Sequence, residues 1–569
     1  MPPGWFLSKS WVLIGISVLS GVIGGLGSAG LISLIHTALA SQDRPTYLPW
    51  LFAGVVLLTI MARIIAALVV THLAERLIYE LRLDLSRKIL AAPLSCLQTL
   101  GAPRLLASLT EDVATVAAAM QEIPWIGISG AIVFGCLMYM GFLSWPLLLL
   151  VVGAITLGTV TFLFAKSRAL VALRAARESQ DDIFVHFRGL TEGIKELKLN
   201  RARRNAFLSE GLEPSAAAYR RYSITGQGLF ILAGNIASTL LFIVVGVILF
   251  GLPAQLSISN SILTGFVLAL LYLMAPLAGL VEELPVLSRA GVALERIKAL
   301  GQTLEASRES AGSGTQPRQV LFPGDLELIG VTHRYHREDD DHPFVVGPID
   351  LTIRRGEIVF LVGGNGSGKT TLALLLVGLY AAEQGEIRMG GQRITEGEWE
   401  RYRQQFSAVF SDFYLFDSLL GFHDRELDAE ACDYLIRLQL DHKVRIEHGA
   451  FSTLDLSQGQ RKRLALLVAY LEDRPFYVFD EWAADQDPVF KRIFYTEILP
   501  ALKARGKAVV VITHDEGYFA VADHCLKLEE GKISEIWATE YKAGKEPIPA
   551  YPMGFLAQSD RAKLPGATT

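Results

Sequence analysis

Charged residues are absent from long parts of this chain. Ser10–Gln42 contains no Asp, Glu, Lys or Arg, and Trp50–Ala74 contains only Arg63. Residues 123–165 and 223–281, stretches of 43 and 59 residues, also lack all four residue types. About 20 apolar residues cross a bilayer as a helix, so the two longest stretches are predicted to be helical hairpins. Buried helices of a soluble protein are a weak alternative, because they rarely stay uncharged for so long.

These stretches together predict six spans, at about 11–40, 50–75, 122–142, 145–166, 224–250 and 259–281. Only Lys9 precedes the first apolar run and no small-residue cleavage site stands out after it, which favours an anchor over a removed signal. Span one is rich in small residues between Gly21 and Gly30. Such residues predict close packing against another helix, with a substrate-facing kink as the alternative.

Cysteine is also scarce. The four cysteines, Cys96, Cys136, Cys432 and Cys525, are far apart in the sequence. Their spacing fits neither a zinc site nor the disulfide framework of a secreted protein, so they are predicted to be inert or buried thiols. The formal net charge of −5 argues against a nucleic-acid partner.

Lysine and arginine are distributed unevenly between the connections. The segment after span two carries Arg76, Arg82, Arg87, Lys88 and Arg104, and the segment after span four carries more, from Lys166 onward. The connections at 43–49, 141–146 and 251–260 carry only Arg44. The positive-inside rule therefore places the two basic segments and both termini in the cytoplasm. Leucines at helical spacing in the first basic segment predict that the spanning helices continue beyond the membrane.

Arg63 lies near the middle of span two. A charge inside the membrane is costly and usually faces a partner or a water-filled cavity. Two interpretations stay open. Arg63 faces a substrate cavity, or it has a structural role, in an ion pair or at the membrane interface of a shifted helix.

The composition changes after the last span. Residues 301–319 are polar and rich in Ser, Gly and Pro, which predicts a linker. From 320 to 542, short apolar strands alternate with helical patterns, as in an α/β domain. Residues 543–569 are predicted to form a poorly ordered tail. The sequence thus predicts a multidomain protein, with an all-α six-helix transmembrane domain over 1–300 followed by an α/β P-loop domain.

A phosphate-binding loop organises the second half. The apolar run Ile358–Val362 leads into Gly363, and Gly368-Lys369-Thr370 follow at the spacing G-x-x-x-x-G-K-[ST]. Apolar residues then resume, so the pattern is strand, glycine-rich loop, helix. Backbone N–H groups of such a loop and the helix N-terminus bind phosphate, the lysine reaches the β/γ-phosphates and the threonine hydroxyl binds Mg²⁺. A glycine turn with a chance Lys-Thr pair is the much weaker alternative.

Further motifs follow the loop in a fixed order. Leu456–Gln460, LSQGQ, precedes a basic helical run, and the strand Phe476–Asp480 ends beside Glu481. Asp480 suits binding near Mg²⁺ and Glu481 could polarise the attacking water. Ala484–Asp487 comes next, and the strand 508–512 ends in Thr513-His514. Alone, each motif could be a helix cap, an acidic loop or a core histidine, but their joint occurrence after a phosphate loop makes that explanation very weak.

In this order the second half resembles the nucleotide-binding domain of an ATP-binding-cassette (ABC) transporter. With six spans ahead of it, the whole chain resembles an exporter half-transporter with long intracellular helices. The resemblance implies ATP and Mg²⁺ as cofactors, a Walker A loop at 363–371, a signature motif at 456–460 and a D-loop at 484–487. It implies a homodimer, because the signature motif of one copy would close over the phosphate loop of the other.

The resemblance assigns catalysis to Glu481, His514 and Lys369, with Glu481 as the catalytic glutamate and His514 as the switch histidine. It assigns ATP binding to Tyr335, which would stack on adenine, and to Gly363, Gly364, Asn365, Gly366, Ser367, Gly368, Lys369, Thr370, Thr371, Ser457, Gln458, Gly459, Gln460 and Asp487. Mg²⁺ would be held by Thr370 and the Walker B aspartate Asp480. The glutamine that usually forms the Q-loop is replaced by Ser411, which puts the Mg²⁺ contact at that position in question.

Finer detail is similar to the bacterial cyclic-peptide and siderophore-precursor exporters, the group with pyoverdine-precursor, syringomycin-type and microcin J25 exporters. The similarity includes FSAVFSDFYLFD at 406–417 and EWAADQDP at 481–488. It implies export of a cyclic or modified peptide across the inner membrane, with membrane lipid around the spans and periplasmic or outer-membrane efflux components as further partners. A lipid or drug exporter and a non-transporting membrane-tethered ATPase are the alternatives. An importer is less favoured, since spans and cassette are fused.

Overall fold

The computed structural model of the protein describes residues 3–40, 46–251, 259–307, 324–335, 344–422 and 425–539. The chain divides into two compact units. The first comprises residues 1–87 and 103–302, and the second comprises residues 88–102 and the chain from 303 onward. Most of the expected linker and the whole expected tail lie outside the described residues.

The first unit is all helical. Its helices are α1 (Pro3–Ala40), α2 (Leu48–Ala91, which ends in the second unit), α4 (Ala102–Ala107), α5 (Val113–Leu143), α6 (Trp145–Glu192), α7 (Ile194–Leu199), α8 (Arg201–Ala206), α9 (Glu213–Gly246) and α10 (Asn260–Ala306). The short helix α3 (Leu94–Leu100) belongs to the second unit. π-helical turns at 108–112, 207–212 and 247–251 extend the neighbouring helices. Six helices are long and apolar enough to cross a membrane, which confirms the predicted six spans.

Small residues bring α1 close to its neighbours, as the sequence predicted. A Cβ on Gly25 would lie 2.4 Å from the Cβ of Ala131 in α5. A Cβ on Gly27 would lie 2.5 Å from Oγ1 of Thr59 in α2. Such approaches are possible only for glycine, so the glycine-rich face of α1 is a packing surface.

The helices extend well beyond the uncharged stretches. α2 continues to Ala91 and α6 to Glu192, which confirms that the spanning helices are prolonged. α10 continues to Ala306, so the first residues of the expected linker are helical instead. The physical reason is that Leu300 and Leu304, one helical turn apart, are both buried. Within the second unit, the Tyr380 hydroxyl donates to Oε1 of Gln98 in α3 at 2.6 Å.

The second unit contains the strands. They are β1 (Leu326–Tyr335), β2 (Phe344–Ile353), β3 (Ile358–Val362), β4 (Gln384–Met389), β5 (Gln392–Arg393), β6 (Phe406–Val409), β7 (Ile446–Glu447), β8 (Ala450–Phe451), β9 (Phe476–Asp480), β10 (Ala508–Ile512), β11 (His524–Glu529) and β12 (Lys532–Ala538). The helices are α11 (Lys369–Leu376), α12 (Trp399–Arg403), α13 (Arg425–Arg437), α14 (Gln458–Glu472), α15 (Pro488–Ile493) and α16 (Leu499–Ala504).

The main sheet has six strands in the order β12-β11-β3-β10-β9-β6 and is parallel except for β12. A second sheet, β2-β1-β4-β5, is antiparallel. Alternate residues of β3 enter two different cores, with Phe360 in one and Leu361 in the other, because successive side chains of a strand point to opposite faces. The predicted α/β class is confirmed. The carboxyl ends of β3, β9 and β10 meet at one edge, and this edge positions the site.

Candidate functional site

The end of β3 leads directly into the glycine-rich loop. Gly363 has φ +146°, and a Cβ there would lie 2.3 Å from the carbonyl oxygen of Leu528. Gly368 has φ +99°, and a Cβ there would lie 2.9 Å from Cγ2 of Val346. Both positions therefore require glycine. The loop ends where α11 begins, at Lys369.

The Lys369 side chain folds back over this loop. Its Nζ donates to the carbonyl oxygens of Gly363 and Gly364, each at 2.9 Å. Burial lowers the pKa of Lys369, and nearby Glu481 and Asp480 oppose this shift. The Ser367 hydroxyl is buried and has no hydrogen-bond partner among the described residues. A cation and an unpaired hydroxyl group at the start of a helix fit the phosphates of a nucleotide.

Asp480 ends β9 and is almost fully buried. Its Oδ2 accepts hydrogen bonds from Oγ1 of Thr370 at 3.1 Å and from Oγ of Ser411 at 3.3 Å. Burial raises the pKa of Asp480, whereas these two hydrogen bonds favour its anion. A carboxylate and two hydroxyl groups thus meet beside the loop, and Mg²⁺ prefers oxygen ligands. The side chains fit the expected cation, and Ser411 reaches the same carboxylate oxygen as Thr370.

Glu481 and His514 come together at the ends of β9 and β10. The Nε2 atom of His514 lies 3.3 Å from Oε1 of Glu481. Glu481 has φ +50°, a left-handed conformation that is uncommon for a residue with a side chain. Its carboxylate is 39% exposed, unlike that of Asp480. An accessible carboxylate beside a buried one can accept a proton from water while the buried one holds a cation.

The residues of the expected signature motif form the start of α14. Ser457 caps this helix, and its hydroxyl accepts from the N–H of Gln460 at 3.4 Å while Oε1 of Gln460 accepts from the N–H of Ser457 at 3.1 Å. The Gly459 carbonyl accepts from Nε2 of Gln486 at 3.0 Å. In the described parts of this single chain, the hydrogen bonds of these residues join them to Leu454, to α14 and to Gln486. The structure does not bring them to the phosphate loop.

The other residues expected to bind the nucleotide lie at the end of β1, in the glycine-rich loop and at the starts of α11 and α15. Tyr335 is the last residue of β1, its backbone pairs with Phe344, and its side chain lies outside the description. Gly366 has φ +77° in the middle of the loop, next to Asn365, and Thr371 lies in the first turn of α11. Asp487 caps α15 by accepting from the N–H groups of Phe490 and Val489. The pKa of Asp487 is lowered mainly by the hydrogen bond from the Phe490 N–H, and the nearby Arg463 guanidinium lowers it further.

Two basic residues of α14, Lys462 and Arg463, contact the expected catalytic segment, although the sequence pattern does not single them out. Lys462 is buried, and its Nζ donates to the main-chain oxygen of Glu481 at 2.8 Å and pairs with Asp485 at 2.7 Å. Arg463 donates from Nε to Oε1 of Gln486 at 2.9 Å. Both residues belong to the basic run after the signature motif. Their partners lie 19 to 24 residues further along the chain, so no local pattern indicates these contacts.

In the first unit, Arg63 lies against α1. Its Nη2 donates to Oγ of Ser28 at 2.7 Å, and the Ser28 hydroxyl donates to the Gly24 carbonyl at 2.7 Å. The Arg63 Nε atom is buried and has no hydrogen-bond partner among the described residues. Within the described chain no carboxylate forms a salt bridge with this guanidinium, so the ion-pair interpretation is not supported.

The first unit also contains a cavity of about 540 Å³ between α6, α9 and α10. Its walls are mainly apolar and include Phe162, Phe230 and Met274. The polar side chains of Thr159, Asn235 and Ser238 also line it. Ligand pockets of this size commonly combine apolar walls with a few polar groups that orient the ligand.

Comparison with known proteins agrees with this architecture. The ABC transporter family matches residues 346–484, and the ABC transporter transmembrane region matches residues 10–279. The chain is 36% identical to the ATP-binding protein SyrD of Pseudomonas syringae pv. syringae, over 92% of this chain and 94% of that protein. It is 26% identical to the ATP-dependent lipid A-core flippase of Alkalilimnicola ehrlichii and 25% identical to that of Hahella chejuensis, over 93% of this chain and 92% of each relative.

Proposed function

Because the chain belongs to the ABC transporter family, we infer that its ATPase drives export of a cyclic or modified peptide, a siderophore precursor, across the bacterial inner membrane. Family membership itself establishes that the chain binds ATP and couples its hydrolysis to transport. It also establishes a multi-pass membrane protein with a cytoplasmic cassette. We propose three further points: the chemical class of the cargo, the homodimer and the bacterial inner membrane as the location.

The residues at the carboxyl edge of the main sheet define the proposed ATP site. Lys369 and the loop from Gly363 would hold the phosphates, and Thr370, Asp480 and Ser411 would hold Mg²⁺. When bound, Mg²⁺ neutralises charge on the phosphate oxygens. Glu481 would take the proton of the attacking water, and His514 would keep its carboxylate in place.

A homodimer would complete this site. The signature residues Ser457–Gln460 start a helix whose N-terminal end suits phosphate, yet in a single chain Gly459 contacts Gln486 and not the phosphate loop. A second copy would bring its own Ser457 to the loop of the first. Each of the two ATP sites would then consist of the phosphate loop of one chain and the signature motif of the other.

Peptide cargo is supported by the resemblance of two segments to cyclic-peptide exporters, and lipid cargo is weakened by low identity to the lipid A-core flippases. The chain is 36% identical to SyrD but only 24–26% identical to the lipid A-core flippases, over similar lengths. The segments 406–417 and 481–488 resemble those of cyclic-peptide exporters. The apolar cavity with three polar side chains would suit a cargo that has apolar side chains. Arg63 is not among the side chains that line this cavity, but its guanidinium, bonded to Ser28 and without a carboxylate partner in the described chain, would suit an acidic group on the cargo.

Lipid export is the second candidate, because the lipid A-core flippases of Alkalilimnicola ehrlichii and Hahella chejuensis each align over 93% of this chain. Arg63 is equally compatible with an acidic lipid headgroup. The two candidates differ in the cargo that should stimulate ATP hydrolysis.

The deciding experiment is a transport assay in proteoliposomes with the cassette facing outward. The probes are a radiolabelled cyclic peptide bearing carboxylates, a linear peptide of the same composition and a lipid A-type glycolipid. ATP-dependent accumulation of the cyclic peptide is expected, and the Glu481→Gln chain serves as the inactive control. Accumulation of the glycolipid alone would support the lipid candidate, and ATP hydrolysis without movement of any probe would contradict both proposed cargos.

A further inference from the structure

We propose that Lys462 is a positioning residue that fixes the main chain of Glu481 and couples it to Asp485. The proposal rests on the proposed role of Glu481 as the base for hydrolysis. Lys462 itself would not contact the nucleotide or the attacking water.

Lys462 lies in the second turn of α14, and its side chain is only 3% exposed. Nζ donates to the main-chain oxygen of Glu481 at 2.8 Å and pairs with Oδ2 of Asp485 at 2.7 Å. The main-chain oxygen of Lys462 accepts from Nε1 of Trp482 at 2.8 Å. Lys462 therefore contacts three residues in the segment just after β9: Glu481, Trp482 and the exposed Asp485.

The conformation of Glu481 explains why such an anchor is needed. Its φ of +50° is unfavourable for a residue with a side chain and persists only where the surroundings impose it. The Glu481 N–H donates to the Ile512 carbonyl at 3.1 Å, and Lys462 holds the carbonyl on the other side. Without the second anchor Glu481 could relax toward the right-handed region, and its carboxylate would move away from His514.

A buried ammonium group is stable only when it is paired and hydrogen-bonded. Here the two partners are the Glu481 carbonyl, which is fixed in the interior, and Asp485, whose side chain is 45% exposed. The arrangement thus links a surface carboxylate to the main chain of the proposed base. Displacement of a catalytic group by about 1 Å can cost about a hundredfold in rate, so a small movement here would be measurable.

A purely structural tie between α14 and β9 is the alternative, and the chain offers a matched control for it. Lys507 also donates to the main-chain oxygen of a residue with positive φ, Asp473, at 3.0 Å, and pairs with its carboxylate at 2.9 Å. Asp473 lies at the far end of α14 from the signature motif. Lys507→Met therefore removes a similar contact from the same helix without touching Glu481.

The test uses the full-length chain in lipid nanodiscs. Lys462→Met, which keeps the side-chain length but removes the charge and all donors, should lower kcat for ATP hydrolysis by about tenfold to a hundredfold. The Kd for a fluorescent ATP analogue should stay within about twofold. Lys507→Met should leave both quantities within about twofold. Asp485→Asn should lower kcat less than Lys462→Met, and the double variant should be no slower than Lys462→Met, as expected for one coupled unit.

Two results would overturn the proposal. One is a kcat of Lys462→Met within about twofold of the wild type in conditions where Glu481→Gln is inactive. The other is a parallel loss of ATP affinity, melting temperature and kcat in both Lys462→Met and the milder Lys462→Gln, which would assign a structural role. If Glu481→Gln itself turns over normally, the proposed base is wrong, and this outcome is distinct from a failure of Lys462 alone.

Discussion

The Nε2 atom of His514 lies 3.3 Å from Oε1 of Glu481, across the ends of two neighbouring parallel strands. Register accounts for this proximity, since Ile512 of β10 is opposite Asp480 of β9. The residue after Asp480 and the second residue after Ile512 therefore emerge at the same edge of the sheet. The proposed base is thereby placed next to a group that can orient it.

Glu481→Gln should reduce ATP turnover by about a hundredfold or more, because a positioned base contributes about 10²–10⁴-fold to such reactions. Gln has nearly the same shape, so ATP affinity should remain within about twofold. Steady-state hydrolysis and nucleotide binding are the measurements. Glu535→Gln, on an exposed position of β12, is the control and should behave as wild type. Near-normal turnover of Glu481→Gln would remove Glu481 from the mechanism.

A mixed dimer tests whether two copies share each ATP site. One chain carries Ser457→Arg and the other carries Lys369→Ala, so both defects fall in one composite site and the other site stays intact. Tandem purification through two different tags would isolate this species, which should bind ATP tightly at one site per dimer.

The matched control carries both substitutions in one chain, paired with a wild-type chain. Both composite sites are then damaged by one substitution each, although the total number of changes is the same. Equal ATP binding by the two mixed dimers would contradict the shared site.

Features with a local pattern could be predicted from the sequence. The six spans follow from uncharged length, and the loop at Gly363 follows from glycine spacing between a strand and a helix. Composition predicts a linker from residue 301, whereas the buried Leu300 and Leu304, one helical turn apart, extend α10 to Ala306. The contact of Lys462 with Glu481 could not be predicted, because it depends on the positive φ of Glu481 and on how α14 packs against the segment that follows β9.

Ser411→Ala should shift the acid limb of the pH–activity profile to higher pH. Burial already raises the pKa of Asp480, and hydrogen bonds from Ser411 lower it, so their loss would raise this pKa further. The anion of Asp480 would then be lost at a higher pH as the solution is acidified. The Mg²⁺ concentration for half-maximal hydrolysis should also rise. Ser534→Ala, which removes an exposed hydroxyl from β12, is the control.

Ser411→Gln tests the departure from the usual Q-loop residue. The longer side chain cannot take the place of a hydroxyl 3.3 Å from Asp480 without moving the segment. We expect a larger change in peptide-stimulated hydrolysis than in ATP affinity. If neither quantity changes, the assignment of Ser411 to this position in the family pattern is wrong.

Gly25→Ala should destabilise the first unit by about 1–3 kcal/mol, the usual range for overpacking. The new methyl group would lie 2.4 Å from Cβ of Ala131 and 2.8 Å from the Ile128 carbonyl, so α1 and α5 would have to separate. Thermal unfolding in detergent measures the effect. Gly30→Ala in the same helix is the control, since a Cβ there meets no atom within 4 Å. Equal melting temperatures for the two variants would contradict the close packing of α1.

Arg63→Ala should abolish the stimulation of ATP hydrolysis by a carboxylate-bearing cyclic peptide. The guanidinium forms no salt bridge with a carboxylate in the described chain, and its hydrogen bond to Ser28 uses one of five N–H donors, so it has hydrogen-bonding capacity for an acidic ligand. Arg63→Lys should restore only part of the effect, because Lys keeps the charge but not the fork that binds a carboxylate bidentately.

The competing explanation is that Arg63 only holds α2 to α1 through Ser28. Ser28→Ala removes that hydrogen bond and leaves the charge, so it separates the two roles. If Arg63 recognises cargo, Ser28→Ala should keep the stimulation, and a peptide with its carboxylates converted to amides should stimulate wild type and Arg63→Ala equally weakly. If the contact is purely structural, Ser28→Ala and Arg63→Ala should lose melting temperature together and both should export the acidic peptide at the wild-type rate per folded molecule. That result would leave peptide cargo supported by resemblance alone.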